Sequence, residues 1–384
     1  MDKPVHGGNL AWAARLAKCD PCELLDFSAS ISPLGPPLSV QEAVQAAFSA
    51  VVAYPDPAYG ALRQAIAAHH KIPIETVIVG NGAAELINWA ARELAQLEKC
   101  YCLSPGFGDY VRALCAFDGE VSRIPILEQL PSISTKFSIS TKFSGWIDAF
   151  LQKQCVELNR CGFLLNNPHN PTGALFKREQ VTRLCDTFAW VVVDEAFMDF
   201  LPPMRQQSVI DWVSKYPNLV VIRSLTKFYS MPGLRLGYAI ARPDVLQRWR
   251  SWRDAWPVNT LAAAAGIAAL QDTAFQRRTW QWLDTESTYL YEELLTLPGL
   301  VPLPSSANFF LVCCEGSATK LQERLLRHHK IYIRDCMSFA GLGDRYFRVA
   351  VKNQRDNQQL LGALAAELPT LRTAARAKGA PDGC

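Results

Sequence analysis

A chain of 384 residues is long enough for one large domain and a smaller one, and a net charge of +3 with no Lys/Arg run excludes a nucleic-acid partner gripped by its phosphates. With 49% apolar and 20% charged residues, the composition is that of a globular protein and not of a disordered one. No window approaches eighteen uninterrupted apolar residues and the opening MDKPVHGGNL has no apolar h-region, so neither a membrane span nor secretion is expected, and the cytoplasm is the expected compartment.

Residues 1–40 carry several Pro and Gly and few periodic signals, and read as an arm packing on a smaller domain. From 41 to 256, apolar β-rich runs alternate with helical patterns. ETVIVG (75–80) is followed by the helical AAELINWAARELAQL, and then come KCYCLS (99–104), GFLLNN (162–167), WVVVDEAF (190–197), LVVIRS (219–224) and LGYAIA (236–241). Near-continuous Val/Ile/Leu runs with helices between them predict an α/β fold, a mostly parallel sheet covered on both faces, whose ligands sit beyond the carboxyl ends of the strands. The hexapeptide SISTKF stands twice in tandem, at 132–137 and 138–143, and reads as a duplication in a surface loop.

From 257 to 370 the pattern changes. An Ala-rich helix (NTLAAAAGIAALQD), a helix around 275–296, the strand NFFLVCC (308–314), the helix KLQERLLRHH and the strands KIYIRD and YFRVAV predict a compact α+β domain. Residues 371–384 read as a flexible tail. The twelve cysteines are scattered, Cys19 and Cys22 forming a lone C-x-x-C, so mostly structural thiols and no metal are expected. His69/His70 and His328/His329 lie in amphipathic helical stretches and read as solvated or packed.

Four segments at strand ends carry chemistry. In SLTKF, Lys227 follows Ser224 and Thr226, and Arg235 stands further on in GLRLGY. At the mouth of a parallel sheet this suits a Schiff-base amine beside a phosphate held by two hydroxyls and a guanidinium. S-x-x-K also occurs in serine acyl-transferases, but their S-D-N and K-T-G elements are missing. VVVDEAF ends a buried strand in Asp194, a position that is costly unless the carboxylate meets a cation, such as a protonated pyridine nitrogen. A Mg²⁺ role for that Asp would need a G-x-x-x-x-G-K-[ST] loop, which the chain lacks. NNPHNPTG (166–173) gives a Pro-fixed turn that presents Asn170. In GNGAAEL (80–86), Gly82, Ala83 and Ala84 are small enough to let a phosphate reach exposed backbone N–H groups at a helix start.

The order of these segments resembles the fold-type I pyridoxal-phosphate aminotransferases of the histidinol-phosphate aminotransferase group, over nearly the whole chain. Within that group HGGN (6–9), LLDFSASISPLG (24–35), YPDPAY (54–59), SPGFGDY (104–110), DEAFMDF (194–200) and RSLTKFYSMPGLRLGY (223–238) look like the threonine-phosphate decarboxylase family of cobalamin biosynthesis. The resemblance implies pyridoxal 5'-phosphate as cofactor, a small phosphorylated amino acid as substrate, and a homodimer with shared active sites. It implies Lys227 as the cofactor-bound amine, Asp194 at the pyridine nitrogen, Asn170 near the phenolic oxygen and Tyr110 stacked on the ring. Tyr54 would reach the cofactor phosphate of the neighbouring subunit, while His6, Gly7, Ser30, Asn170, Arg334 and Arg348 would meet the substrate. Two positions depart from the family's pattern: Ser30 stands where an asparagine is usual, and Phe197 where many aminotransferases have tyrosine. The alternative reading is an aminotransferase such as one acting on histidinol phosphate, which uses the same cofactor residues. A non-catalytic protein on this fold would have no need of Lys227.

Overall fold

The structure, a computed structural model, describes residues 4–126, 146–153 and 157–376. The SISTKF repeat lies outside the described residues. Strands in chain order are β1 (Leu25–Asp26), β2 (Val77–Asn81), β3 (Cys100–Ser104), β4 (Val121–Pro125), β5 (Gly162–Asn166), β6 (Trp190–Asp194), β7 (Leu219–Ser224), β8 (Leu236–Ile240), β9 (Leu300–Pro302), β10 (Phe309–Cys314), β11 (Ile331–Tyr332), β12 (Arg334–Asp335) and β13 (Tyr346–Ala350).

Seven of them form the large sheet in the order β2-β8-β7-β6-β5-β3-β4. Neighbours from β7 through β6, β5 and β3 to β4 run parallel, whereas β8 is antiparallel to both β2 and β7. The sheet is mostly parallel, as expected, but LGYAIA is its reversed strand. Side chains alternate between two cores. Val191 and Val193 of β6 join one apolar cluster, and Val192 joins the other with Leu164, Val220, Leu86 and Trp249. Helices therefore cover both faces, which is why β5 and β7 are buried at every position. The Ala-rich helix Thr260–Gln271 lies especially close: a Cβ on Gly266 would stand 2.5 Å from Leu236 Cδ2.

A second, four-stranded antiparallel sheet has the order β12-β13-β10-β9. KIYIRD, expected as one strand, is divided: β11 pairs with β1 in a two-stranded parallel sheet, while β12 pairs with β13. Residues before 40 thus supply a strand and the helix Leu10–Ala17, whose Ala13 and Ala17 pack on Leu326 and Tyr332. The terminal helix Gln354–Arg376 continues past Leu371, where the sequence reads as a tail. No helix among the described residues is long and apolar enough to cross a membrane.

Candidate active site

The carboxyl ends of β6 and β7, the N-terminus of the helix Gly82–Leu94, the loop after β5 and the chain around His6 converge on one cavity of about 340 Å³. At its floor Asp194 is buried. Its Oδ2 accepts from the Tyr110 hydroxyl at 2.5 Å and its Oδ1 from the Ala196 N–H at 3.0 Å. Burial pushes the Asp194 carboxyl above the usual range, against the pull of Lys227 and of the Tyr110 and Ala196 donors. Burial likewise lowers the Lys227 amine, with Arg348 and Arg235 adding to the effect and Asp194 opposing it. The Lys227 Nζ stands 4.7 Å from the centre of the Phe197 ring, which is packed edge-on against Phe309. Phe197 offers this amine a π-face and no hydroxyl.

One end of the cavity is built for a phosphate. The Ser224 and Thr226 hydroxyls lie 2.7 Å apart, beside Ala83 and Ala84 in the first turn of the helix. Arg235 takes a left-handed conformation (φ 57°) between the turn Pro232–Leu234 and β8, which brings its guanidinium under Gly82. Gly82 itself stands at φ 73°, a conformation that favours glycine, and a Cβ on it would stand 2.5 Å from Arg235 Nη2 and push the guanidinium from its place. Backbone donors at a helix start, two hydroxyls and a guanidinium are the donor set a phosphate monoester needs. With Lys227 and Asp194 beyond them, they fit pyridoxal phosphate.

The other end is cationic. Arg348 is buried, its pKa drawn down to about 10 by that burial, and its Nη1 and Nη2 donate to Asn170 Oδ1 and to the Ser28 carbonyl. A guanidinium only donates, so the atom of Asn170 that meets it is the amide oxygen, leaving the Nδ2–H donors for the cavity. Asn170 is fixed further by its own N–H, which donates to Asn166 Oδ1 at 2.7 Å. Two buried polar atoms among the residues lining the cavity have no partner, Arg348 Nε and Ser30 Oγ. They are free donors in a site expecting anions. Arg334 donates to the carbonyls of Pro4 and Val5 and to Ser338 Oγ, so its guanidinium also straps the chain start over the cavity.

His6, Gly7, Ser30, Ala83, Ala84, Asn170, Asp194, Ser224, Thr226, Lys227, Arg235, Arg334 and Arg348, all singled out in the sequence, line this one cavity. Gly82 lies behind it against Arg235, and Tyr110 meets it through its hydroxyl at Asp194, with its ring edge-on to Phe107. Tyr54 is elsewhere, 79% exposed and stacked on Trp256 at 4.3 Å. Sequence reasoning passed over Phe107 and Asp109, which sit inside SPGFGDY, and Ser28, inside LLDFSASISPLG. Their neighbourhood in quoted motifs was the available signal. It also passed over the buried set behind Asp194, where Arg223 pairs with Glu195 at 2.8 Å and with Asp199.

His328 and His329 do not approach the cavity; both meet Glu367, which Arg324 also grips. With Glu367 they make the one metal-capable His/Cys/carboxylate group among the described residues. Cys19 and Cys22 are free thiols.

The signature of the family described as aminotransferase class I and II matches residues 23–364. Threonine-phosphate decarboxylase of Salmonella typhimurium is 39% identical over 94% of this chain and 95% of its own length. An adenosylcobalamin biosynthesis bifunctional protein of Leptospira interrogans is 29% identical over 95% of this chain and 41% of its own. Histidinol-phosphate aminotransferase of Sinorhizobium meliloti, solved in complex with pyridoxal-5'-phosphate, shares the fold with a TM-score of 0.81, covering 94% of this chain and 95% of its own at 23% identity. By signature, sequence and scaffold together, the chain belongs to the class I and II aminotransferase family of pyridoxal-phosphate enzymes, on its threonine-phosphate decarboxylase branch.

Proposed function

We propose that this protein is a pyridoxal-phosphate-dependent carboxy-lyase that converts L-threonine O-3-phosphate to (R)-1-aminopropan-2-yl phosphate and CO₂ for cobalamin biosynthesis. The observation that carries the reading is the double polarity of the cavity. A cradle for the cofactor phosphate lies at one end, a reactive amine in the middle, and two arginines, Arg334 and Arg348, with the imidazole of His6 at the other.

When bound, the cofactor supplies an electron sink for the pair left at Cα once CO₂ departs. Asp194 would hold its ring nitrogen protonated, and the Nδ2–H donors of Asn170 would meet its phenolic oxygen. Ser224, Thr226, Arg235 and the helix start at Ala83 and Ala84 would hold its phosphate. Lys227, its basicity lowered by burial, can bind the cofactor covalently and carry a proton at Nζ to and from Cα.

The bond held perpendicular to the ring is the one that breaks, so anchoring decides the reaction. With two Arg348 nitrogens already occupied, its free Nε and the Ser30 hydroxyl remain for the substrate. Arg334 and His6, at the strapped chain start, suit the substrate phosphate. Phosphothreonine is expected to release CO₂ in step with loss of substrate and without a keto acid. Amino transfer to 2-oxoglutarate without CO₂ would instead establish the aminotransferase alternative.

The same reading assigns a homodimer with shared sites. Phe48, Val51, Val52 and Tyr54 are exposed on one stretch, with Trp256 against Tyr54, an apolar surface of the kind a second copy covers. It divides the chain into the arm 1–40, a cofactor domain 41–256 and a small domain 257–370, and places the protein in the cytoplasm, where thiols stay reduced.

A further inference from the structure

The chain start is held over the cavity mainly from one side. Arg334 and Ser338 bond its Pro4 and Val5 carbonyls, and the Gly8 N–H donates to Ser28 Oγ at 2.7 Å. Gly7 lies so close to residue 28 that a Cβ there would be 2.3 Å from the Ser28 carbonyl oxygen. Across the mouth, on the helix Gly108–Cys115, the contact is His6. Its Nε2 is 3.3 Å from Asp109 Oδ1, and its ring is tilted against Phe107 at 5.7 Å. His6 and Asp109 both line the cavity, and the residue after Asp109 is Tyr110, which reaches Asp194 on its floor.

Resting on the phosphorylated-substrate reading above, we propose that Asp109 is a positioning residue for the substrate phosphate: it takes the Nε2–H of His6, fixes the ring across the cavity mouth and leaves Nδ1 as the donor that meets the anion. A neutral imidazole donates from one nitrogen alone, so donation to Asp109 and to a phosphate together requires the protonated ring, and a carboxylate is the natural partner of that cation. The carboxylate is itself held in place, since Arg112 Nε lies 3.1 Å from the same Oδ1. It is also kept ionised: the His6 contact, first, and Arg112 hold its carboxyl below the usual range against burial. The charges facing His6 are thus Asp109, with Arg112 behind it, and Arg334 from the strap side. The arrangement explains why an otherwise half-exposed histidine at the chain start would select for a phosphate, a group with room for one more charged donor beside Arg334.

The test is a double-mutant cycle on the holoenzyme with Asp109→Asn, His6→Asn and the pair, measuring KM for phosphothreonine and, by calorimetry, the Kd for inorganic phosphate. Each single variant is expected to raise both constants on the order of tenfold, the loss of one charge-assisted hydrogen bond, and the pair no more than either alone. Asp109→Glu is expected to recover most of the loss. Additive losses in the pair, or an Asp109→Asn enzyme whose two constants stay near the wild-type values, would overturn the proposal. The calorimetric arm involves no turnover. A chain that transaminated would sink the assignment of function through its products, while the Asp109–His6 coupling would still be decided by phosphate binding.

Discussion

Gly237 is the position where a single methyl group would report most directly on the phosphate cradle. It lies on β8 opposite Gly80 of β2 on one side and Ser224 of β7 on the other, directly beneath the start of the helix Gly82–Leu94. A Cβ there would stand 2.5 Å from the Ala83 nitrogen, 2.8 Å from the Gly82 carbonyl carbon and 2.9 Å from the Arg223 oxygen. All three are backbone atoms, so no side chain can swing away. Restoring ordinary contact of about 3.5 Å requires the helix start to move by roughly 1 Å. A shift of that size takes a 2.9 Å hydrogen bond outside bonding range. Gly237→Ala is therefore expected to cost about 1–3 kcal/mol of folding stability through overpacking. It should also remove the cofactor contacts proposed for the Ala83 and Ala84 amides, at about 1.5–3 kcal/mol for each bond to a charged group, a loss in affinity of about 100-fold or more. Titrating the apoprotein with pyridoxal phosphate and following its visible band gives the affinity; thermal melts of apo and loaded protein give the stability. A variant with wild-type cofactor affinity and an unchanged apo melting temperature would refute the cradle as described.

Three further outcomes can be checked. Lys227→Ala is expected to abolish turnover, and borohydride should fix the cofactor of the wild-type protein on the peptide containing SLTKF; label on another lysine would reject the assignment. Mixing inactive Tyr54→Phe and Lys227→Ala chains is expected to restore part of the activity if sites are shared, and an active monomer in light scattering would exclude sharing. The Glu367 carboxyl is held below its usual range by His328, Arg324 and His329 against burial, so its folded value lies under the unfolded one of about 4.3. Its contribution to stability is then complete above that value and lost as pH falls through the depressed folded value; denaturant melts of Glu367→Gln should lack that acid-side slope, and an identical slope would show that another carboxylate causes it.

Strands β5, β6 and β7 were legible because burial on both faces demands uninterrupted apolar runs, and such runs stand out in any sequence. The same feature hid the direction of β8, since an apolar run reads alike in either orientation. The edge strand β4, with Ser122, Arg123 and Pro125 in a partly exposed pattern, gave no run to detect. KIYIRD looked continuous, yet its halves serve different sheets because Ile331 and Tyr332 are claimed by Leu25 and Asp26, some 300 residues away in sequence. In the site, residues at strand ends could be named from their motifs. Partnerships between distant segments, such as His6 with Asp109 or Arg348 with Asn170 and Ser28, exist only once the chain has folded.

The grip of Arg348 on Asn170 matters for anyone who tries to retrain this enzyme. Arg348 stands on β13 of the small antiparallel sheet, and Asn170 on the loop after β5 of the large one. In a selectivity library the arginine is an obvious place to randomise, yet every replacement would also release the Asn170 amide, the group proposed to meet the cofactor. Gains in substrate scope and losses in catalytic power would then be inherited as one trait. Pairwise randomisation of positions 348 and 170 would separate them where one-at-a-time scanning records only failures.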